Sequence, residues 1–364
     1  MSPLEKMFFQ VCREIFNGQD NVHFAFKNFD KGRPESLPND FSNLITIDMA
    51  STCNRMLSTA SKYILENNIT SALCFDLQVR SPICNMLRNS GVKKIASYWG
   101  APISGNNNII MLTLKRIEVA LSSNKPDLFI FESEAMRRFA VHGRGILFKN
   151  TRVIPTGIDT NKFQPNTSSK KYVSEEFGIP LNNKIIFYSG HMEERKGVKT
   201  IIEAAIKLID EEKLTHWYFL ICGNRPNEEK PFLKILENTK AKEHVIFAGY
   251  RTDINNLIPG CDIGVIPSTG WDSFPMSCLE IASCGLPLVV SELQGLTETI
   301  EENVTGLSFT PGDSTQLASA IIKLDQNEQM RLQFSQAARE RIIKGYSLEQ
   351  QYKSLFFTMK KTFA

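Results

Sequence analysis

Short unbroken apolar runs alternate along this chain with longer stretches of helical spacing. In the first third, runs at 22–27, 44–48, 71–75, 94–98 and 127–131 predict strands, with helices such as 56–67 and 110–121 between them. The second half repeats the alternation, with strands predicted at 185–189, 217–222, 244–248, 263–267, 287–291 and 307–309. A helix predicted over 198–209 carries Val198, Ile201, Ile202, Ala205, Ile206 and Ile209 on one face, which is core spacing. Strand and helix in regular alternation predict an α/β protein built on parallel sheets covered on both faces.

The breaks in this pattern set the expected domains. A turn at Gly157, the polar stretch 166–171 and a second break at 178–184 put a boundary near residue 165, giving an N-terminal domain over 1–165 and a C-terminal one over 166–346. The last helical pattern, 347–361, carries Tyr352, Phe356 and Phe357, with Phe363 just beyond it. It follows the last predicted strand, so the segment 347–364 is expected to cross back onto the first domain. The start is unusual: 5–16 reads as an amphipathic helix burying Phe8, Phe9, Val11, Cys12 and Ile15, with no strand before it. The first strand of a doubly wound sheet is central, and its loss would leave neighbouring backbone groups unpaired. The expectation is therefore that a strand and a Gly-rich turn lie upstream of Met1.

Composition narrows the class. The 364 residues suffice for two ordinary domains, and with 42% hydrophobic and 22% charged residues there is no apolar run long enough to span a bilayer. The first ten residues lack a basic flank leading into an apolar core, so no signal peptide is read. Eight cysteines are scattered without a C-x-x-C pair or a Cys/His cluster, which predicts reduced core thiols, a cytoplasmic protein and no structural zinc. The net charge of +3 conceals a basic first part and an acidic second. A basic cluster at Arg137, Arg138, Arg144, Lys149 and Arg152 reads either as a solvated face or as a peripheral contact with an anionic membrane or a phosphorylated acceptor. No nucleic-acid signature is present.

Two loops carry candidate chemistry. Residues 268–280, S-T-G-W-D-S-F-P-M-S-C-L-E, join the apolar run 263–266 to a helical pattern and so form a strand-to-helix turn. Turns at the carboxyl ends of parallel strands are where open α/β sheets bind ligands, because the amides at the next helix start attract anions. Phe274, Met276 and Ser277 offer such amides between two carboxylates, Asp272 and Glu280; Pro275 has none. The second loop, 190–197, is G-H-M-E-E-R-K-G, which places Lys196 at a helix start with Gly197 to let the backbone come close, so a diphosphate fits.

The ordered set V-I-P-T-G-I-D, G-H-M-E-E-R-K-G, F-A-G-Y-R-T-D-I, P-S-T-G-W-D-S-F-P-M-S-C-L-E and V-T-G-L-S-F resembles the family 4 retaining glycosyltransferases of the GT-B fold. The likeness is close from Thr151 to Phe309 and looser before it. It implies two Rossmann-like domains, a nucleotide-diphosphate sugar donor, in all likelihood of type a UDP-sugar, a carbohydrate or lipid-linked acceptor, retention of configuration and no metal cofactor. By that resemblance Glu280 grips the nucleotide ribose and Asp272 stands where a Glu contacts the donor sugar, one methylene shorter. His191 and Lys196 fall at the Arg and Lys that hold the diphosphate, with His191 and Lys196 joining Asp272 as catalytic candidates. The base falls near Asn224 and the backbone of Gly249, Tyr250 and Arg251. The stretch 97–105 with Trp99 lies on the acceptor side, without the His that family members often carry there. A surface-polysaccharide pathway is the implied setting. Two other readings stay open, a nucleotide-sugar-binding pseudoenzyme or partner subunit and a sugar-nucleotide epimerase.

Overall fold

A computed structural model describes residues 3–30, 32–48, 53–100, 108–122 and 124–363. The chain divides into two units, Met1–Ile154 with Gln351–Ala364, and Pro155–Gln350.

The strands of the first unit are β1 (Phe24–Phe26), β2 (Leu44–Thr46), β3 (Ser71–Phe75), β4 (Lys94–Trp99), β5 (Leu128–Phe131) and β6 (Thr151–Val153). They form two sheets, a parallel pair β1-β2 and a parallel four-stranded sheet in the order β3-β4-β5-β6. One continuous doubly wound sheet was expected; among the described residues no strand joins β1 to β3. Helix Pro3–Ile15 packs against both, with Phe8 edge-on to Phe75 and Tyr98 and Phe9 against Phe24 and Phe41. Side chains cap the helix starts where the sequence supplies them: Ser81 accepts from the Ile83 amide, Asn108 from Met111 and Ser133 from Met136. From Gln351 onward the last helix, Leu348–Phe363, belongs to this unit. Its Tyr352 hydroxyl bonds Glu14, and Phe363 lies 6.2 Å from Phe16.

The second unit holds β7 (Lys184–Ser189), β8 (Trp217–Cys222), β9 (Val245–Gly249), β10 (Ile263–Ile266), β11 (Leu288–Ser291) and β12 (Gly306–Phe309). They form one parallel sheet in the order β12-β11-β10-β7-β8-β9. Chain direction across the sheet reverses between β7 and β10, so their carboxyl ends flank a topological switch point. Val198, Ile201, Ile202 and Ala205 are buried against the sheet, but the α-helix ends at Ile206 and passes into a π turn, Lys207–Glu211, that keeps Leu208 and Ile209 fully buried. The boundary between units falls at Ile154 and Pro155 rather than at residue 165. Ile158 explains the shift: its amide donates to Tyr346 and its carbonyl accepts from Leu348. Arg339 adds bonds to the carbonyls of Thr160 and Phe163, so residues 155–165 are stitched into the second unit.

Candidate active site

At the switch point two loops are zipped together along their backbones. After β7 the chain runs through a single 3-10 turn, Glu194–Lys196, into helix Val198–Ile206. After β10 it runs from Pro267 to helix Met276–Ser283. The Arg195 carbonyl accepts from the amides of Thr269 (2.8 Å) and Gly270 (3.1 Å), and Arg195 Nη1 donates to the Trp271 carbonyl at 3.2 Å. Gly197 sits between the loops with φ 72°, and a Cβ there would lie 1.8 Å from the Pro267 carbonyl oxygen. The glycine is therefore required by loop-on-loop packing and left-handed backbone, where close approach to a ligand was expected.

The zipped loops bring Lys196 to Asp272. The ammonium donates to Asp272 Oδ2 at 2.8 Å, and the hydroxyl of Ser268 donates to the same oxygen at 2.7 Å. Ser268 is wholly buried and the Asp272 side chain is 9% exposed, while Lys196 keeps 17%. A carboxylate with two donors on one oxygen is a fixed anchor, so Asp272 holds the ammonium in place. Ser268 escaped the sequence reading; a small polar residue immediately after a strand and its proline was the available signal.

Helix Met276–Ser283 begins beside this pair. Pro275 precedes it without a side-chain cap, and among the described residues the amides of Met276 and Ser277 have no acceptor. One turn on, the Glu280 carboxylate has no hydrogen-bond or ion partner among the described residues, and burial raises its carboxyl to about 7, opposed by the positive charge of Lys162. The switch point thus presents an ammonium, two unpaired amides and a half-buried carboxylate on one pair of loops. A cation with converging amides suits a polyanion, and a lone carboxylate suits hydroxyl donors.

Other candidates lie apart from this cluster. The His191 side chain is exposed, and its carbonyl accepts from the buried Tyr188 hydroxyl at 2.9 Å, which fixes the turn but directs no ring nitrogen. Phe274 is buried and stacks on Tyr346 with 5.5 Å between ring centroids, so its side chain serves the core. The Arg251 side chain, a candidate for nucleotide binding, is committed elsewhere: it bonds Asp253 through Nε (2.8 Å) and Nη2 (2.7 Å), and Glu176 through Nη1 (2.7 Å). Two carboxylates within reach outcompete a ligand for it. Asn224 is buried at the end of β8 and accepts from the Gly249 amide at 2.8 Å, holding the ends of β8 and β9 together. Of the acceptor-side stretch 97–105, residues 101–105 lie outside the described residues; Ser97 donates to the Leu77 carbonyl and Trp99 ends β4.

Comparison with known proteins supports this reading of the fold. Residues 169–341 match the family model of glycosyl transferases group 1. The chain is 32% identical over 218 residues to N,N'-diacetylbacillosaminyl-diphospho-undecaprenol alpha-1,3-N-acetylgalactosaminyltransferase of Campylobacter jejuni, an overlap of 58% of this chain and 54% of that protein. It is 24% identical over 196 residues to UDP-Gal:alpha-D-GlcNAc-diphosphoundecaprenol alpha-1,3-galactosyltransferase of Escherichia coli, covering 54% of this chain and 50% of the other. The chain thus spans about half the length of the curated relatives it matches. Among solved structures, Anabaena Alr3699/HepE in complex with UDP superposes with a TM-score of 0.78 at 18% identity, over 99% of this chain and 96% of that one. WaaG, a glycosyltransferase involved in lipopolysaccharide biosynthesis, gives 0.65 at 15% identity, over 97% and 95%. With its second unit carrying the matched segment and its whole length following these structures, the chain belongs to the glycosyl transferases group 1 family and has the GT-B fold.

Proposed function

We propose that this protein transfers a sugar from a nucleotide-diphosphate donor, a UDP-sugar, to a carbohydrate or lipid-linked acceptor with retention of configuration. The observation that carries the reading is the convergence of Lys196 with the free amides of Met276 and Ser277 at the switch point. Breaking a sugar–diphosphate bond places negative charge on the departing phosphate. Lys196 and the helix-start amides are held in place before that charge forms, which is the arrangement that lowers such a barrier. Asp272 positions Lys196 instead of touching the sugar, and Glu280 accepts from the ribose hydroxyls. His191, on the same loop, swings its ring to the diphosphate once a ligand is bound. The relatives whose names include undecaprenol-linked acceptors and UDP-galactose support a lipid-linked acceptor, a UDP donor and a role in surface polysaccharide synthesis at the inner face of a membrane.

Turnover of radiolabelled UDP-sugars by the full chain, with and without an undecaprenyl-diphosphate sugar, tests the proposal. Sugar transfer or slow donor hydrolysis that falls about a hundred-fold or more in Lys196→Ala supports it. Tight UDP binding without turnover on any donor favours the second reading, a nucleotide-sugar-binding partner subunit, for which the neutralisation of Lys196 by Asp272 is the motivating observation.

A further inference from the structure

The helix Ile109–Leu121 of the first unit is built inside out. Val119 is its one buried residue, whereas Ile110, Leu114, Ile117 and Leu121 are 70%, 56%, 51% and 80% exposed. Their spacing of four, three and four residues stacks them in one stripe along the helix. The side turned to the protein holds polar groups instead, with Glu118 paired to Arg80 at 3.0 Å. A stripe of four large aliphatic side chains facing water is a cost that a helix carries only when something covers it.

The surface beside the stripe continues it. Gly145, in left-handed conformation at φ 73°, lies so close to the helix that a Cβ there would come within 2.7 Å of the Arg116 Cα. That contact sets the turn after helix Glu134–Arg144 against helix Ile109–Leu121 and brings exposed Leu147 and Phe148 to it. Arg116, Arg138 and Lys149 are exposed on the same two elements and the turn that joins them. The carboxylates of this region are engaged internally: Glu118 with Arg80, Asp127 with Arg88, Glu134 with Arg137, and Glu132 accepting from the Tyr98 hydroxyl. An apolar stripe with a cationic rim is the result.

We propose that this face docks on an anionic lipid bilayer, with helix Ile109–Leu121 lying in the interface plane, its stripe among the acyl chains and the rim cations at the headgroups. Charge selects this occupant. A second copy packed about a two-fold axis would set the same rim against itself and bring Arg116, Arg138 and Lys149 of both copies together. An anionic headgroup layer answers both halves of the patch at once. The inference stands apart from the donor chemistry, since it uses no residue of the switch-point loops.

Sedimentation of the full chain with vesicles of phosphatidylglycerol and phosphatidylcholine, and with phosphatidylcholine alone, is the test. The chain is expected to bind the mixed vesicles, to bind the neutral ones far more weakly, and to be released by salt. Leu114→Glu with Ile117→Glu should weaken binding roughly ten-fold or more, and Arg116→Glu and Lys149→Glu roughly five-fold each. The four side chains are exposed, so the melting temperature and UDP affinity of these variants should match the parent, which separates failure of docking from failure of the donor site. No binding to mixed vesicles, equal binding to both vesicle types, or binding undiminished in the Leu114 and Ile117 variant would overturn the proposal. So would a dimer in vesicle-free solution that the same variant dissolves.

Discussion

The Lys196 ammonium lies 2.8 Å from Asp272 Oδ2, across two loops that meet only because β7 and β10 are neighbours at the point where the sheet changes direction. The pair is largely withdrawn from water and is shared with the Ser268 hydroxyl. An ion pair of this kind is worth little as glue, since desolvation offsets its attraction, but it fixes where a charge sits. Asp272→Asn keeps the shape of the side chain and unpairs the cation. Nucleotide affinity should hold or rise, because the ammonium is no longer neutralised, while turnover should fall about a hundred-fold as the ammonium loses its position. Calorimetry and steady-state rates on the one variant read both effects.

Glu280 gives a pH signature. Its carboxyl titrates near 4.5 in the ordinary case and is raised by burial to about 7 in the folded protein. Between these values the folded state keeps a proton that the unfolded state has released. The stability contributed by the neutral form is complete below about 4.5 and is lost as pH rises through about 7. Glu280→Gln should therefore melt higher than the parent at alkaline pH and not at pH 4. In the same titration, affinity for a UDP-sugar should rise through about 7 in the parent, as the carboxylate becomes a charged acceptor for ribose hydroxyls, and stay low and flat in the variant.

Gly197→Ala tests the joint between the loops. The added methyl would sit 1.8 Å from the Pro267 carbonyl oxygen in a left-handed backbone, so the two loops must part. A loss of about 3 kcal/mol in stability is expected. UDP affinity should fall with it, because Lys196 and the Met276 helix start would no longer be held together. Chemical denaturation and a UDP titration measure the two losses.

Arg251→Ala should behave as a structural change. Its guanidinium ties Asp253 to Glu176, and the Tyr172 hydroxyl completes the cluster by donating to Asp253 at 2.6 Å. The Arg251 guanidinium, first among its partners, holds the Asp253 carboxyl down at about 2. The stability this carboxylate adds is in place above its ordinary value near 3.8 and is lost as pH falls through about 2. Removing Arg251 should raise the midpoint of acid unfolding and cost about 1–3 kcal/mol at neutral pH, with UDP affinity unchanged.

The strands of the second unit were legible because each is a continuous β-rich apolar run closed by Gly, Pro or a polar turn; β8 matches its reading residue for residue. Lys196, Asp272, Met276, Ser277 and Glu280 could be picked out because the two loops follow strands, and strand ends are where a parallel sheet exposes its chemistry. What the sequence did not show is commitment. Arg251 looks like a free cation until Glu176, distant in the chain, is found beside it. Gly197 looks like room for a ligand until Pro267 fills the space. The π turn at Lys207–Glu211 is likewise set by the burial of Leu208 and Ile209, which helical periodicity alone reads as unbroken α-helix. In the first unit the strands β1, β2 and β6 are three residues each, too short for alternation to fix their ends.

The most direct test is a calorimetric titration of UDP into the parent chain and into Lys196→Ala, with Lys196→Ala/Asp272→Asn alongside so that no unpaired carboxylate stays buried. If an ammonium and the Met276 and Ser277 amides share a diphosphate, the parent binds UDP and both variants bind it roughly ten- to hundred-fold more weakly, as loss of one charge-assisted bond requires. Equal UDP affinity in all three proteins would contradict the account.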